Sequence, residues 1–274
     1  MDYTGYRILS EPEDVAKFYE GRYETEDINE NEYLIIKDKN DSLDFYCKHY
    51  GKIERVEYPT FYSQTEGEIK PRNPEQQCAM DLLLKPQSKV KLLRGVKGSG
   101  KDYLMWHCAR HLIDKGKFQK IVFLRPHITV AGLPSIGALP GTADEKLEWC
   151  LAPLYDIAGG REIILDMVAR EELEPVPMLW LRGRSFKNSI VYLTEGQNMT
   201  VELASLVLSR IGEGSELWLN GDNKQVDDKM FKTDNGIIRM VDRLAGNPLF
   251  GYTYLPKQER SEVARLSDLL DDEI

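Results

Sequence analysis

Val90-Lys-Leu-Leu-Arg-Gly-Val-Lys-Gly-Ser-Gly-Lys-Asp102 is a short apolar run that passes through a glycine-rich turn into a helical pattern. A strand, an anion-binding turn and a helix N-terminus in that order build a phosphate-binding loop. Gly95, Gly98 and Gly100 let backbone N–H groups turn toward one anion, and Lys101 brings its charge to the outer phosphates. Gly95, Val96, Lys97, Gly98, Ser99, Gly100, Lys101 and Asp102 are therefore the candidate nucleotide-binding set. The last position departs from the pattern. G-x-x-x-x-G-K is ordinarily followed by Ser or Thr, whose hydroxyl binds Mg²⁺, and this chain has Asp102. A bare G-x-x-x-x-G-K arises by chance in roughly one chain in ten of this length, so the loop needs support from elsewhere.

At 274 residues, with 42% hydrophobic side chains, the chain is long enough for an α/β domain with a small appendage. No apolar run approaches the ~18 residues of a membrane span, and no basic segment leads into an apolar one at the N-terminus, so a cytoplasmic protein without a signal peptide is expected. Cys47, Cys78, Cys108 and Cys150 lie far apart without a C-x-x-C pair, which reads as reduced, mostly buried thiols. The net charge of −9 is uneven: residues 1–70 carry 9 basic and 17 acidic side chains, and the remainder is close to neutral. A near-neutral body neither demands nor forbids nucleic acid, because a local basic patch suffices.

Residues 11–32 read as an acidic, solvated or partly disordered lead-in with a helical turn or two near Val15-Ala-Lys-Phe-Tyr19. From Tyr33 the pattern becomes short β pieces, Tyr33 to Ile36, Leu43 to Tyr46 and Ile53 to Tyr58, consistent with a small β appendage or clamp over residues 1–70. Residues 71–274 form the main domain, opening on a helix with Asn73 as N-cap, Pro74 at its first position and Gln76 as capping-box partner. Strand and helix then alternate: strands at Ile121 to Leu124, Ile190 to Leu193, Glu216 to Asn220 and Phe250 to Leu255, and helices at about 143–171, 201–210 and 237–244 and from about Ser261. Repeated β-then-α units imply a mainly parallel sheet with helices on both faces.

Ligands of such a sheet sit beyond the C-terminal strand ends, which singles out Arg94-Gly95, Arg125-Pro126, Thr194-Glu195 and Gly221-Asp222. Ile190-Val-Tyr-Leu-Thr-Glu-Gly-Gln197 has the shape of the second acidic motif of P-loop ATPases, with Thr194 where Asp stands and Glu195 in place to orient or deprotonate a water. Asp222 and Gln225 occupy a further strand end, and Gln225 is a candidate γ-phosphate or water contact.

Together these motifs resemble the PhoH family of P-loop ATPases, which is related to the core of superfamily-one helicases. The resemblance runs from about Glu32 to the C-terminus through Arg72-Asn-Pro-Glu-Gln76, Gly95 to Lys101, Arg125-Pro126, Leu181-Arg-Gly-Arg-Ser185, Glu195-Gly-Gln-Asn198, Ser209-Arg-Ile-Gly212, Gly221-Asp222 with Gln225, Asn235-Gly236 and Glu259-Arg-Ser261. It implies a P-loop NTPase fold, ATP and Mg²⁺ as ligands, Gln76 on the adenine, Arg260 on the γ-phosphate, a ring-shaped homo-oligomer, and single-stranded RNA or DNA as a candidate partner. Some members carry an N-terminal PIN nuclease domain; only about thirty residues precede the matching linker here, so none is expected.

The family has Thr where this chain has Asp102, and Asp where it has Thr194. These positions are neighbours in P-loop enzymes, so the two residues read as exchanged, with Asp102 supplying an oxygen to Mg²⁺ and Thr194 bonded to it or to a metal-bound water. The expected catalytic set is Glu195, Lys101, Gln225 and Arg260, with Asp102 and Thr194 at the metal. The rival is a nucleotide-binding switch or structural protein that no longer hydrolyses ATP; a GTPase-like regulator is argued against by the Gln76 motif.

Three blander readings stand beside this. His107 and His111, four apart, lack the Glu and third ligand of a zinc site and read as one packed and one surface side chain. Arg182, Arg184 and Lys187 are either a nucleic-acid or subunit contact or a solvated loop, and Arg125 either a ligand contact or a strand-end ion pair.

Overall fold

Ile121-Val-Phe-Leu124 is apolar at every position because both of its faces are covered. Ile121 and Phe123 join one buried cluster, Val122 and Leu124 another. The same alternation places Ile190, Tyr192 and Trp218 on the first side and Val191, Leu193, Leu217 and Leu219 on the second, as a period of two requires.

The computed structural model describes residues 3–126, 143–222, 229–259 and Val263. In chain order the strands and α-helices are β1 (Tyr6–Leu9), α1 (Pro12–Tyr19), β2 (Tyr33–Lys37), β3 (Leu43–His49), β4 (Lys52–Arg55), β5 (Phe61–Ser63), β6 (Gly67–Ile69) and α2 (Pro74–Leu84). There follow β7 (Val90–Gly95), α3 (Lys101–Asp114), β8 (Lys120–Leu124), α4 (Ala143–Ala158), α5 (Arg161–Ala169), β9 (Leu173–Pro175) and β10 (Ser189–Leu193). The last are α6 (Val201–Leu208), β11 (Glu216–Gly221), α7 (Gly236–Leu244) and β12 (Phe250–Leu255). The helix expected from Ser261, with Gln225 and Arg260, lies outside the described residues.

The main sheet has six strands in the order β12-β7-β11-β10-β8-β9, every neighbouring pair parallel. This is an α/β P-loop NTPase fold with a small N-terminal β region. Residues of α2 and α3 pack in the first cluster, and residues of α6 and α7 in the second. The loop strand β7 and the acidic strand β10 are not neighbours; β11 lies between them. Its C-terminal Asn220 thereby reaches both Asp102 and Thr194.

The N-terminal region departs from the sequence reading. The helical turn expected near Val15–Tyr19 in the acidic lead-in is α1, and it connects β1, which the sequence reading lacked, to β2, with which β1 pairs in parallel. Antiparallel β3 and β4 complete a four-stranded sheet. On β2, Leu34 and Ile36 face Val15 and Phe18 of α1, whereas Tyr33 and Ile35 join the cluster that includes α2. All four are at most 1% exposed, and burial of each side chain contributes roughly 1.5–3 kcal/mol. That apolar gain orders a segment whose composition alone reads as solvated.

Polar contacts fasten this sheet to the main body. The Tyr33 hydroxyl donates to Asp81 Oδ2 at 2.8 Å on α2, and Asn31 Nδ2 donates to the Pro248 and Phe250 carbonyls. Burial raises the Asp81 carboxyl above its ordinary value, against the pull of Lys85. Burial and the nearby Asp81 charge raise the Tyr33 phenol, which keeps it a donor.

Asn73 caps α2 as expected, its side chain accepting from the Gln76 N–H at 2.8 Å. The capping box does not close, because Gln76 Oε1 accepts from Arg72 N instead. Cys47, Cys78 and Cys108 are buried free thiols, and Cys150 is half-buried. Among the described residues, no helix is long and apolar enough to cross a membrane.

Candidate active site

The loop between β7 and α3 turns through left-handed backbone at Gly98 (φ 77°) and Gly100 (φ 86°), which L side chains rarely adopt. A Cβ on Gly100 would also stand 2.9 Å from Gln76 Nε2. Lys101 Nζ folds back onto the Gly95 and Val96 carbonyls at 2.8 and 2.9 Å. Its charge is thus held in the mouth of the loop at the N-terminus of α3, where backbone N–H groups and the helix dipole favour an anion.

Two other segments brace this loop. Gln76 Nε2 donates to the Ser99 carbonyl at 2.9 Å, so Gln76 ties the start of α2 to the underside of the loop. After β12, Glu259 N donates to the Gly98 carbonyl at 2.9 Å, and the Glu259 carboxylate accepts from Asn73 Nδ2 at 2.6 Å.

Beyond the strand ends, Asp102, Thr194, Asn220 and Tyr192 meet at one point. Asp102 Oδ1 accepts from Asn220 Nδ2 at 2.7 Å, Thr194 Oγ1 at 2.9 Å and the Tyr192 hydroxyl at 3.0 Å. The two positions read as exchanged are therefore in direct contact. Burial, reinforced by the Asp102 charge, raises the Tyr192 phenol far above its ordinary value, so the hydroxyl remains a donor.

Glu195 follows Thr194 in left-handed backbone (φ 56°, ψ 35°). A non-glycine residue there is uncommon and strained. Gln197 holds the side chain: its Nε2 donates to Glu195 Oε2 at 2.6 Å, and its Oε1 accepts from Asp222 N at 3.1 Å. This turn is wedged against β11. A Cβ on Gly221 would lie 2.9 Å from Gln197 N and 2.5 Å from Ile237 Cδ1. Gly221→Ala is expected to destabilise the protein by about 1–3 kcal/mol, the range for overpacking, as a lowered midpoint in urea unfolding.

Lys97, Lys101, Asp102, Glu195, Asn220 and Asp222 line a cavity of about 90 Å³. On the other side of Asp102 and Glu195, a second cavity of about 160 Å³ is lined by Arg125, Thr194 and Leu154. Arg125 thus faces the site rather than standing apart from it. A larger cleft of about 1120 Å³ lies away from the loop, between the β5–β6 hairpin, α3 and α5. Its Arg110 is engaged by Asp114 and Glu172, and its Arg170 by Asp166 and Glu172, so those charges are locally neutralised. There His107 is buried and held neutral, its pKa lowered by burial to about 4, and His111 stacks on Phe61.

Of the basic cluster, Arg184 is pinned by Glu174 at 2.5 Å and lies over the Phe186 ring, while Arg182 and Lys187 are exposed. Tyr192, Asn220 and the bracing role of Gln197 are the parts that sequence reasoning missed. The available signal was Asn220, a buried amide at a strand end after apolar Leu217 and Leu219.

Residues 68–267 match the family model described as PhoH-like protein. The chain belongs to the PhoH family. Among curated PhoH proteins, it is 33% identical over 210 residues to Protein PhoH2 of Thermobispora bispora, covering 74% of this chain and 48% of that protein. It is 29% identical over 293 residues to Protein PhoH2 of Bacillus subtilis (strain 168), covering 98% of this chain and 64% of that protein. A PhoH-like protein of the same Bacillus strain is 35% identical over 136 residues, 48% of this chain and 42% of its own length. The chain thus spans about half to two thirds of the length of the PhoH2 proteins it matches.

Proposed function

We propose that this PhoH-family chain binds ATP with Mg²⁺ and hydrolyses it. The observation that carries the reading is one cavity lined by Lys101 of the phosphate loop, by Asp102 and by Glu195. The loop N–H groups and Lys101 take the phosphates, Lys101 exchanging its two carbonyl bonds for phosphate oxygens. Gln76 is the adenine-side residue, coupled to the loop through Ser99.

The donor set suits a hard cation: a carboxylate, a hydroxyl and two further carboxylates near one small cavity. Among the described residues, no group of three His, Cys, Asp or Glu side chains is placed to hold a metal unaided. Mg²⁺ ordinarily keeps waters and takes phosphate oxygens as ligands beside one or two carboxylates. Bound Mg²⁺ would neutralise charge on the phosphate oxygens; Asp102 supplies it an oxygen, and Thr194 holds Asp102. Glu195, steadied by Gln197, orients the attacking water and accepts its proton. Gln225 and Arg260 complete the set as γ-phosphate contacts. Single-stranded RNA or DNA is the partner consistent with a helicase-related core, and the chain would act on it as a ring-shaped homo-oligomer.

Purified protein with Mg²⁺-ATP, with and without single-stranded RNA, tests this. Turnover is expected, and Lys101→Ala is expected to weaken ATP binding at least about tenfold, a charged phosphate contact being worth ~1.5–3 kcal/mol. ATP binding without turnover in the unmodified protein would replace the enzyme with a nucleotide-gated switch. Absence of ATP binding would overturn the reading altogether.

A further inference from the structure

Asp102 is tethered by one oxygen only. Oδ1 receives three donors, from Tyr192, Thr194 and Asn220, whereas Oδ2 takes no hydrogen bond among the described residues. Two of these donors have no assigned role. Tyr192 is fully buried in β10 beside apolar Ile190, Val191 and Leu193, where packing alone would be met by Phe. A buried phenol costs free energy unless its hydroxyl is bonded, and both of its bonds go to Asp102, to Oδ1 at 3.0 Å and to the main-chain carbonyl at 3.3 Å.

Asn220 reaches in two directions. Its amide nitrogen donates to Asp102, and its oxygen lies 3.4 Å from both Thr194 Oγ1 and Glu195 N. One side chain thereby fixes the carboxylate on α3 relative to the turn that aims Glu195. This matters more here than in a loop ending in Ser or Thr. A hydroxyl offers a cation a single oxygen, but a carboxylate has two oxygens and a rotating end group, and needs its orientation set by neighbours.

We infer that Tyr192 and Asn220 are positioning residues that, with Thr194, hold Asp102 by Oδ1 and leave Oδ2 as the oxygen offered to the cation of a bound metal–nucleotide. This rests on the Mg²⁺-nucleotide reading above. Asp102 then ligates through one oxygen, and its geometry is transmitted to Glu195 through Asn220.

The test is a Mg²⁺ titration of the binding of a fluorescent, non-hydrolysable ATP analogue, with a parallel affinity measurement in EDTA. Tyr192→Phe and Asn220→Ala are each expected to raise the Mg²⁺ needed for half-maximal binding by about tenfold, the lower end for residues that orient a ligand. In EDTA the affinity of Tyr192→Phe should stay within about twofold, because its hydroxyl bonds to Asp102 and to none of residues 95–101. In an Asp102→Asn background both substitutions should lose most of their effect, since they act through that carboxylate.

An unchanged Mg²⁺ requirement in both variants would overturn the inference, as would equal losses in Mg²⁺ and EDTA, which mark a merely structural role. Tyr192→Phe preserves volume, so it guards against a folding defect in Asn220→Ala; unfolding midpoints recorded without metal check both. Wild-type binding that ignores Mg²⁺, or no binding, would instead remove the parent reading, and the inference with it.

Discussion

Glu195→Gln is expected to lower the rate of ATP hydrolysis by about 100- to 10,000-fold, the range for losing a general base, while leaving ATP affinity nearly unchanged. The substitution keeps length and shape. Gln197 Nε2, now 2.6 Å from Glu195 Oε2, can donate equally well to an amide oxygen, so the strained turn at φ 56° keeps its partner. What disappears is the capacity to accept a proton from water. Single-turnover hydrolysis measured beside equilibrium binding separates the two quantities. Unaltered hydrolysis in the variant would assign the proton to another group, and a parallel loss of affinity would make Glu195 a binding residue.

The exchange of Asp102 and Thr194 makes the second large prediction. Thr194→Asp alone places a second carboxylate against Asp102, across a gap that is now a 2.9 Å hydrogen bond. Two carboxylates at that separation do not both ionise. Asp102→Thr alone removes the carboxylate acceptor for Tyr192 and Asn220 and takes from the cation the carboxylate oxygen proposed to ligate it. Each single change is expected to reduce Mg²⁺-dependent ATP binding by about 10- to 100-fold.

The double variant should recover to within about tenfold of the parent, because it restores one carboxylate and one hydroxyl to adjacent positions. Asn220 assists the recovery. Its oxygen lies 3.4 Å from Thr194 Oγ1, so an amide flip presents its nitrogen to a carboxylate at residue 194. Losses that simply add would show that the two positions act independently.

Five of the six core strands were legible because they are apolar on both faces and the loop carries three glycines and a lysine in fixed order. Phe250 to Leu255 matches β12 without adjustment, and Ile121 to Leu124 misses β8 by one residue. What escaped has particular causes. β9 is three residues with Pro175 at its end, and proline argues against a strand except at an edge, where β9 lies. β1 was not read and α1 only as a turn or two near residues 15–19; their order comes from the apolar face of β2, a contact that composition does not report.

Within the site, the loop, Glu195 and the contact between Asp102 and Thr194 were readable from motif order. The roles of Tyr192 and Asn220 were not, because each depends on a neighbour about a hundred residues away along the chain. Gln76 was read as a capping partner and an adenine contact. Its bonds to Arg72 N and the Ser99 carbonyl depend on how α2 is docked, which local spacing cannot express.

One helix serves two masters. Asp81, which receives the Tyr33 hydroxyl, and Gln76, which grips the loop at Ser99, stand on the same eleven-residue α2. A substitution on β2 that tilts this helix moves the loop without touching it. A genetic screen for lost nucleotide affinity should therefore return residues such as Tyr33 and Ile35 alongside Lys101, and their distance from the phosphates would conceal why.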